Sequence, residues 1–317
     1  MNESNKVQRR KVKLLRSGDP KSRFQYASAS DILKEVAPPE RLLSTSAKLD
    51  KCESVGVLAR VLYFTPGAFC PSATEGCLET CLGHSSGRMA FTTHAAARDV
   101  RTALYLERPI VFMKRLRAEL TLLEAEALQR GLKPAARLNG TSDLLWERFD
   151  PDLFLDFPEI QFYDYTKINQ RMLNYLDGVW PVNYHLTFSV DACGKNQARY
   201  FISRGCNVAV VFWPYIPSKW WGFPVIDGDR HDARFLDPQG AIVGLRAKGL
   251  ARVDVYGFTA RPCRDCGPEA EGMKLVRVNE NTHRETVHQC TTCNATTEAR
   301  WTLPKPLAPS SPRRLAG

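Results

Sequence analysis

The sequence predicts an α/β protein, a complete or partial β/α barrel with a small zinc ribbon at its C-terminal end. Three observations carry this. Apolar, β-branched runs alternate with stretches of helical periodicity, the pattern of a parallel sheet covered on both faces. The number of these units favours a barrel over an open doubly wound sheet. Two Cys-x2-Cys pairs, Cys263/Cys266 and Cys290/Cys293, then form a module of their own. At 317 residues and 44% hydrophobic content the chain can bury a large core, with room for one large domain and a small one.

Residues 1–24 read as a basic flexible arm, 25–258 as the barrel-like domain, 259–302 as the ribbon and 303–317 as a basic Pro-rich tail. The charge of +10 sits mostly at the ends: residues 1–23 carry eight basic side chains against Glu3 and Asp19, and the tail adds Lys305, Arg313 and Arg314. Such ends suit phosphate contacts with nucleic acid, or simply solubilise the chain. The N-terminus lacks the apolar run of a secretory signal, and no segment approaches the roughly 18 apolar residues of a spanning helix, so no membrane role and a cytoplasmic location are expected. In that reducing compartment, ten cysteines point to metal rather than to disulfides.

Residues 55–64, VGVLARVLYF, read as a buried strand running into a Gly/Pro/Ser/Thr loop that holds Cys70, Cys77 and Cys81. Helices are predicted over 93–106 and 109–130. The second places Phe112, Leu116, Leu120, Leu123 and Ala127 on one face, with Pro109 in its first turn and Gly131 beyond its end. A strand at 135–138 ends in Asn139-Gly140-Thr141-Ser142-Asp143, before a helical stretch through Leu144, Leu145 and Trp146. Strands at 160–165 and 185–190 end in Asp164 to Lys167 and in Asp191, each followed by a helix, 168–176 and 195–204. Further strands are expected at 207–213, 241–245 and 253–258. Polar residues at these carboxyl ends would ring one mouth, where both parallel architectures place active sites.

Three thiols at separations of seven and four can converge on one metal or cluster. Buried free thiols are the plainer reading, but the loop offers few apolar neighbours. Asp143, Asp164, Lys167 and Asp191 are candidates to bind substrate or move protons. Asp227, Asp229, His231 and Asp232 lie within six positions, suited to acid–base work or a hard cation, with Arg246 and Lys248 able to hold an anion, or else forming a solvated turn. The aromatic stretch 214–223, PYIPSKWWGF, is a packing segment or a lid. In the ribbon, four thiolates close a tetrahedral zinc site without help from His283 or His288.

With these residues in view, the chain resembles the gene product 88 family of bacteriophage proteins. The likeness covers about residues 57–258: the CP-x-A-x-x-GC-x3-CL loop, RLNGTSDLLWE from Arg137, FYDYTK from Phe162, LTFS from Leu186, NVAVVF from Asn207 and the IDGD-x-HD-x-RFLDP run from Ile226. It implies a phage origin and a role inside the infected bacterium, and supplies no catalytic assignment. A looser resemblance is to radical SAM enzymes, whose three cysteines after the first barrel strand hold a [4Fe–4S] cluster. The spacing here is C-x6-C-x3-C rather than C-x3-C-x2-C, and Thr80 stands where an aromatic is common. That resemblance implies a cluster on Cys70, Cys77 and Cys81, with S-adenosylmethionine near Asn139, Gly140, Thr141 and Ser142. His84 and His94 are candidates for a fourth ligand. Two functions follow: an Fe–S enzyme acting on nucleic acid or nucleotides, or a non-catalytic zinc protein that binds nucleic acid during phage replication or host takeover.

Overall fold

The computed structural model describes residues 19–267, 273–279 and 284–301. The tail, His283 and most of the expected arm lie outside the described residues. The chain enters through α1 (Ala29–Glu35), β1 (Leu43–Ser44) and α2 (Ala47–Asp50) and forms β2 (Val57–Leu62). Helices α3 (Glu75–Glu79), α4 (Leu82–Ser85), α5 (Thr92–Glu107) and α6 (Pro109–Gln129) lead to β3 (Lys133–Arg137). Next come α7 (Trp146–Phe149), α8 (Asp152–Asp156), β4 (Gln161–Thr166), α9 (Asn169–Leu176), β5 (Tyr184–Ser189), α10 (Lys195–Ile202) and β6 (Val208–Phe212). β7 (Lys219–Trp220), β8 (Phe223–Asp227) and β9 (Ile242–Arg246) complete a nine-stranded sheet. β10 (Met273–Val278), β11 (Glu285–Cys290) and β12 (Thr296–Arg300) form a separate antiparallel sheet of three strands.

The large sheet runs β1-β2-β3-β4-β5-β6-β9-β8-β7. From β2 to β6 each strand lies parallel to and beside its predecessor. Right-handed crossovers that always step the same way stay on one face. That face carries the main core: Leu58, Leu62, Ala136, Phe162, Leu186 and Val210 from the strands meet Phe112, Leu116, Leu120 and Leu123 from α6. The alternate residues Val57, Ala59, Val61, Ala135 and Tyr163 point to the second face. The β8-to-β9 connection steps backwards across the sheet, so the same handedness places it on the second face, where its Ala233 and Phe235 join that smaller cluster.

A closed barrel is not formed among the described residues. β1 and β7 are two-residue edge strands, each antiparallel to its one neighbour, and they do not pair with each other. The reversal of strand order after β6 turns the chain back before closure, and residues from α2 and the β8–β9 connection cover the second face instead. The strand expected at 253–258 is also absent. A 3-10 helix occupies Gly249–Val253, and the Asp254 carboxylate accepts from the amides of Tyr256 (2.9 Å) and Thr259 (2.8 Å), which folds the backbone into a turn. Residues 19–24, expected in the arm, pack on α5 instead: Asp19 pairs with Arg98 at 2.8 Å and Ser22 donates to Asp99.

Phe64, at the exit of β2, is fully buried among Phe69 (5.1 Å between ring centroids), Tyr105 (5.4 Å), Phe112 (5.7 Å) and Trp146 (6.2 Å). This cluster fixes where the cysteine loop leaves the sheet. Phe64→Ala should cost about 3–5 kcal/mol in urea unfolding; an unchanged midpoint would show that the cluster does not anchor the loop.

Candidate metal centres at the strand ends and in the ribbon

The cysteine loop is laced to the loop after β3 by three hydrogen bonds: Gly140 N to Leu62 O (2.9 Å), Thr141 Oγ1 to Phe64 O (2.5 Å) and Asp143 N to Phe69 O (2.9 Å). Thr74 caps α3 by accepting from the Cys77 amide, so Cys77 sits in the first turn of that helix, while Cys81 stands at the N-cap of α4. A Cβ on Gly83 would lie 2.5 Å from Pro66 Cγ and 2.9 Å from Thr141 Cγ2, so only glycine lets α4 press against the β3 loop. Cys70, Cys77 and Cys81 are free thiols; Cys77 feels the charges of Lys167, Asp191 and Asp143, Cys70 that of Asp143, and Cys81 those of Arg98 and Asp19. Burial raises all three thiols; Cys77 is pushed up to about 12 against the pull of the Lys167 ammonium.

The triad is more open than a mononuclear site. Tetrahedral thiolates around Zn–S bonds of about 2.3 Å lie about 3.8 Å apart. Among the described residues, only Cys263, Cys266, Cys290 and Cys293 gather their ligand atoms within 4.8 Å of one another. The Leu78 carbonyl accepts from His84 Nε2 at 2.8 Å, which leaves that nitrogen engaged within the loop.

Next to the thiols, Arg171 of α9 ties the loop after β3 to α7 and, through Tyr184 at the start of β5, to Asp164 of β4. Its guanidinium bonds Glu147 through two nitrogens (both 2.8 Å), Asp143 Oδ1 (2.8 Å) and the Tyr184 hydroxyl. Asp143 also accepts from Thr166 Oγ1 and Lys167 N. Asp164 accepts from Asn139 N (2.7 Å), Asn139 Nδ2 (3.0 Å) and Tyr184 OH (2.7 Å), and Ser142 donates to Asn139 Oδ1. Burial pushes Asp164 up to about 6, opposed by Arg171. Both carboxylates therefore hold loops in place. Lys167 and Asp191 form an ion pair, each side chain 13% exposed, and Asp191 also accepts from Thr74 Oγ1 at 2.6 Å.

The acidic run after β8 divides. Asp229 pairs with Lys248 (3.0 Å) and accepts from the Arg246 amide, and Asp227 lies 3.8 Å from Arg246, all at the carboxyl ends of β8 and β9. Asp232 is on the second face, bonded to Lys48 (2.9 Å), Arg137 (3.2 Å) and Tyr163 OH (3.3 Å); despite its burial, Lys48 and Arg137 hold its carboxyl well below the usual range. His231 is beside it, its carbonyl accepting from Arg234. Lys48, Glu147, Arg171 and Tyr184 escaped the sequence reading. Arg137 and Glu147 bracket the RLNGTSDLLWE motif, and an Arg and a Glu flanking an Asn-Gly loop was the available signal.

A family model described as gene product 88 matches residues 40–269. The chain belongs to the gene product 88 family, a family of phage proteins. No curated protein and no solved structure matches it. The match spans the whole parallel sheet and the first cysteine knuckle, so the strand-end cluster of this gene product 88 protein belongs to the family region.

In the ribbon, Cys263 Sγ and Cys293 Sγ are 3.6 Å apart, and Cys266 Sγ and Cys290 Sγ 3.8 Å, which fits a tetrahedral ion. Each knuckle ends in a residue with positive φ, Gly267 (72°) and Asn294 (63°), the two residue types that enter that region most readily. Amide N–H groups of Cys293 and Thr292 lower the Cys290 thiol to about 6. The four cysteines are placed to bind a metal ion such as zinc.

Two outcomes follow for this gene product 88 protein. Arg171→Met, which strands Asp143, Glu147 and Asp164 in the interior, should cost about 3–5 kcal/mol, read from chemical denaturation; a loss under about 1 kcal/mol would mean the network is replaceable. Cys263→Ser should abolish metal binding at the ribbon and loosen β10, β11 and β12, read by metal content and amide exchange, while the protection of β2 to β6 persists.

Proposed function

We propose that this protein is a phage-encoded iron–sulfur enzyme of radical SAM-like type that acts on nucleic acid or nucleotides in the infected bacterium, with a structural zinc ion in the ribbon. The observation that carries the reading is three free thiols, each raised by burial, on one loop at the exit of the first parallel strand, with Cys77 beside the Lys167–Asp191 pair. An all-thiolate set more open than a single tetrahedral ion needs is the donor chemistry of a cluster. Cys70, Cys77 and Cys81 would hold it, losing their protons on binding because the ligands are thiolates.

When bound, a cluster with three protein ligands offers one open iron and one-electron chemistry on S-adenosylmethionine. This chain's own residues do the rest. Asn139 to Ser142 present backbone and hydroxyl groups beside the triad, with the Thr141 carbonyl 3.8 Å from Cys70 Sγ. Lys167 and Asp191, ion-paired next to Cys77, bind substrate or move protons. Asp143 and Asp164 position those loops through Arg171, and Asp227, Asp229 and Lys248 line the far side of the strand ends as substrate contacts, with Asp232, and His231 beside it, on the second face. The strand order supports this reading, because β2 to β6 in sequence order is the arrangement of an incomplete β/α barrel. The excess positive charge of the terminal segments supports a polyanionic partner.

Anaerobic purification followed by metal and sulfide analysis tests it. The expected result is iron and sulfide beside zinc, with broad visible absorption that disappears in the Cys70→Ser, Cys77→Ser and Cys81→Ser variants and persists in Cys263→Ser. An anaerobic preparation containing zinc alone would overturn the enzyme reading in favour of a non-catalytic zinc protein.

A further inference from the structure

Helix α6 buries one face, Phe112, Leu116, Leu120, Leu123 and Ala127, and leaves the opposite face bare. On that outer face Ile110 is 84% exposed, Val111 47%, Leu122 66% and Leu128 83%, with exposed Ala118, Thr121 and Ala125 between them. Residues three and four apart share a side of a helix, so Val111, Lys114, Ala118, Thr121, Ala125 and Leu128 form one row. Ile110 flanks the row on one side and Leu122 on the other. Thr121 Oγ1 donates to Arg117 O at 3.1 Å, so its hydroxyl is satisfied inside the helix and can be covered without losing a bond. Leu155 of α8, 67% exposed, stands next to Asp156, which pairs with Arg117, and widens the apolar surface. Single exposed apolar side chains are ordinary, but several gathered on one surface mark a contact.

Charge decides what covers it. The first half of α6 carries Lys114, Arg115 and Arg117, and the second half Glu119, Glu124 and Glu126. Four of these six are engaged within the chain: Arg115 donates to Glu40 O, Arg117 pairs with Asp150, Glu119 accepts from the amides of Leu42 and Leu43, and Glu126 pairs with Arg60. Among the described residues, neither Lys114 nor Glu124 has an ion pair or a hydrogen bond. Partial burial and the like charge of Glu159 raise the Glu124 carboxyl, so this acid lacks a cation. Lys114 and Glu124 stand five residues either side of Glu119, the midpoint of the 21-residue helix. They are about 15 Å apart along the axis, too far to pair within one chain.

We propose that the outer face of α6 is the contact of a two-fold symmetric homodimer, packed antiparallel on α6 of a second copy. A two-fold axis through the helix midpoint sets Lys114 of each copy beside Glu124 of the other, so the interface contains that pair twice. It also brings Ile110 and Val111 of each copy to Leu128 of the other. Ala118 and Thr121 lie at the crossing, where small side chains let the axes approach toward the lower end of the usual range of about 8–10 Å. A parallel pairing would instead set Lys114 against Lys114 and Glu124 against Glu124, and that repulsion selects the antiparallel arrangement. The inference does not depend on which metal either cysteine group holds.

Sedimentation equilibrium and light scattering on the full chain, under reducing conditions and free of nucleic acid, test it. The wild-type protein should be a dimer at micromolar concentration. Ala118→Arg, which sets two like charges across the crossing, should weaken dimerisation about hundredfold or more. Lys114→Glu and Glu124→Lys should each weaken it about tenfold, because each turns two attractive pairs into repulsive ones. The double variant Lys114→Glu/Glu124→Lys should regain the wild-type affinity, a rescue that only a contact between copies produces. None of the three positions is buried, so the variants should keep the wild-type urea midpoint; the charge reversals carry the test if Ala118→Arg misfolds. A wild type that stays monomeric at submillimolar concentration would overturn the proposal and leave this face to a different protein. A dimer indifferent to Ala118→Arg, or a double variant no better than the single ones, would overturn it in favour of another pairing.

Discussion

Arg171 reaches from α9 into a fully buried position and joins Glu147, Asp143 and the Tyr184 hydroxyl, and through Tyr184 it supports Asp164. Those partners come from the loop after β3, from α7, from β4 and from the start of β5. A planar group with five donors can hold several acceptors in fixed directions at once. Removing it would leave buried carboxylates without compensation. The loop that faces the cysteines therefore has its shape set from behind, by an arginine that does not itself reach the thiols.

The two cysteine groups are different environments. In the ribbon, four sulfurs crowd to tetrahedral spacing on two turns that end in positive φ, and main-chain amides stabilise a thiolate. In the loop, the three sulfurs do not gather within 4.8 Å, burial raises each thiol, and the charged neighbours are Lys167, Asp191 and Asp143 at Cys77 and Arg98 and Asp19 at Cys81. The first arrangement is complete once an ion is added. The second stands beside other functional groups, which is why the proposed chemistry is placed there.

Much of the fold was legible in the sequence. Strands β2 to β6 and β9 overlap the segments that read as strands, and α6 buries Phe112, Leu116, Leu120, Leu123 and Ala127, the residues its periodicity picks out. The strand at 253–258 was misread because its apolar residues resemble a strand while the Asp254 side chain captures two amides. Barrel closure was not readable, because local pattern records that strands alternate with helices but not where the order of strands reverses.

For the site, spacing by itself identified the ribbon, since two Cys-x2-Cys pairs carry their geometry in local turns. Spacing also marked Cys70, Cys77 and Cys81 and the polar strand ends as one neighbourhood. Only the tertiary structure decided which acids are engaged. Asp143 and Asp164 are held by Arg171, Tyr184 and Asn139, Asp232 turns to Lys48 and Arg137, and the Lys167–Asp191 pair is left facing the thiols. The physical reason is that a carboxylate's role depends on the cations and amides that reach it, and here these come from segments tens of residues away, brought together only when the sheet is assembled.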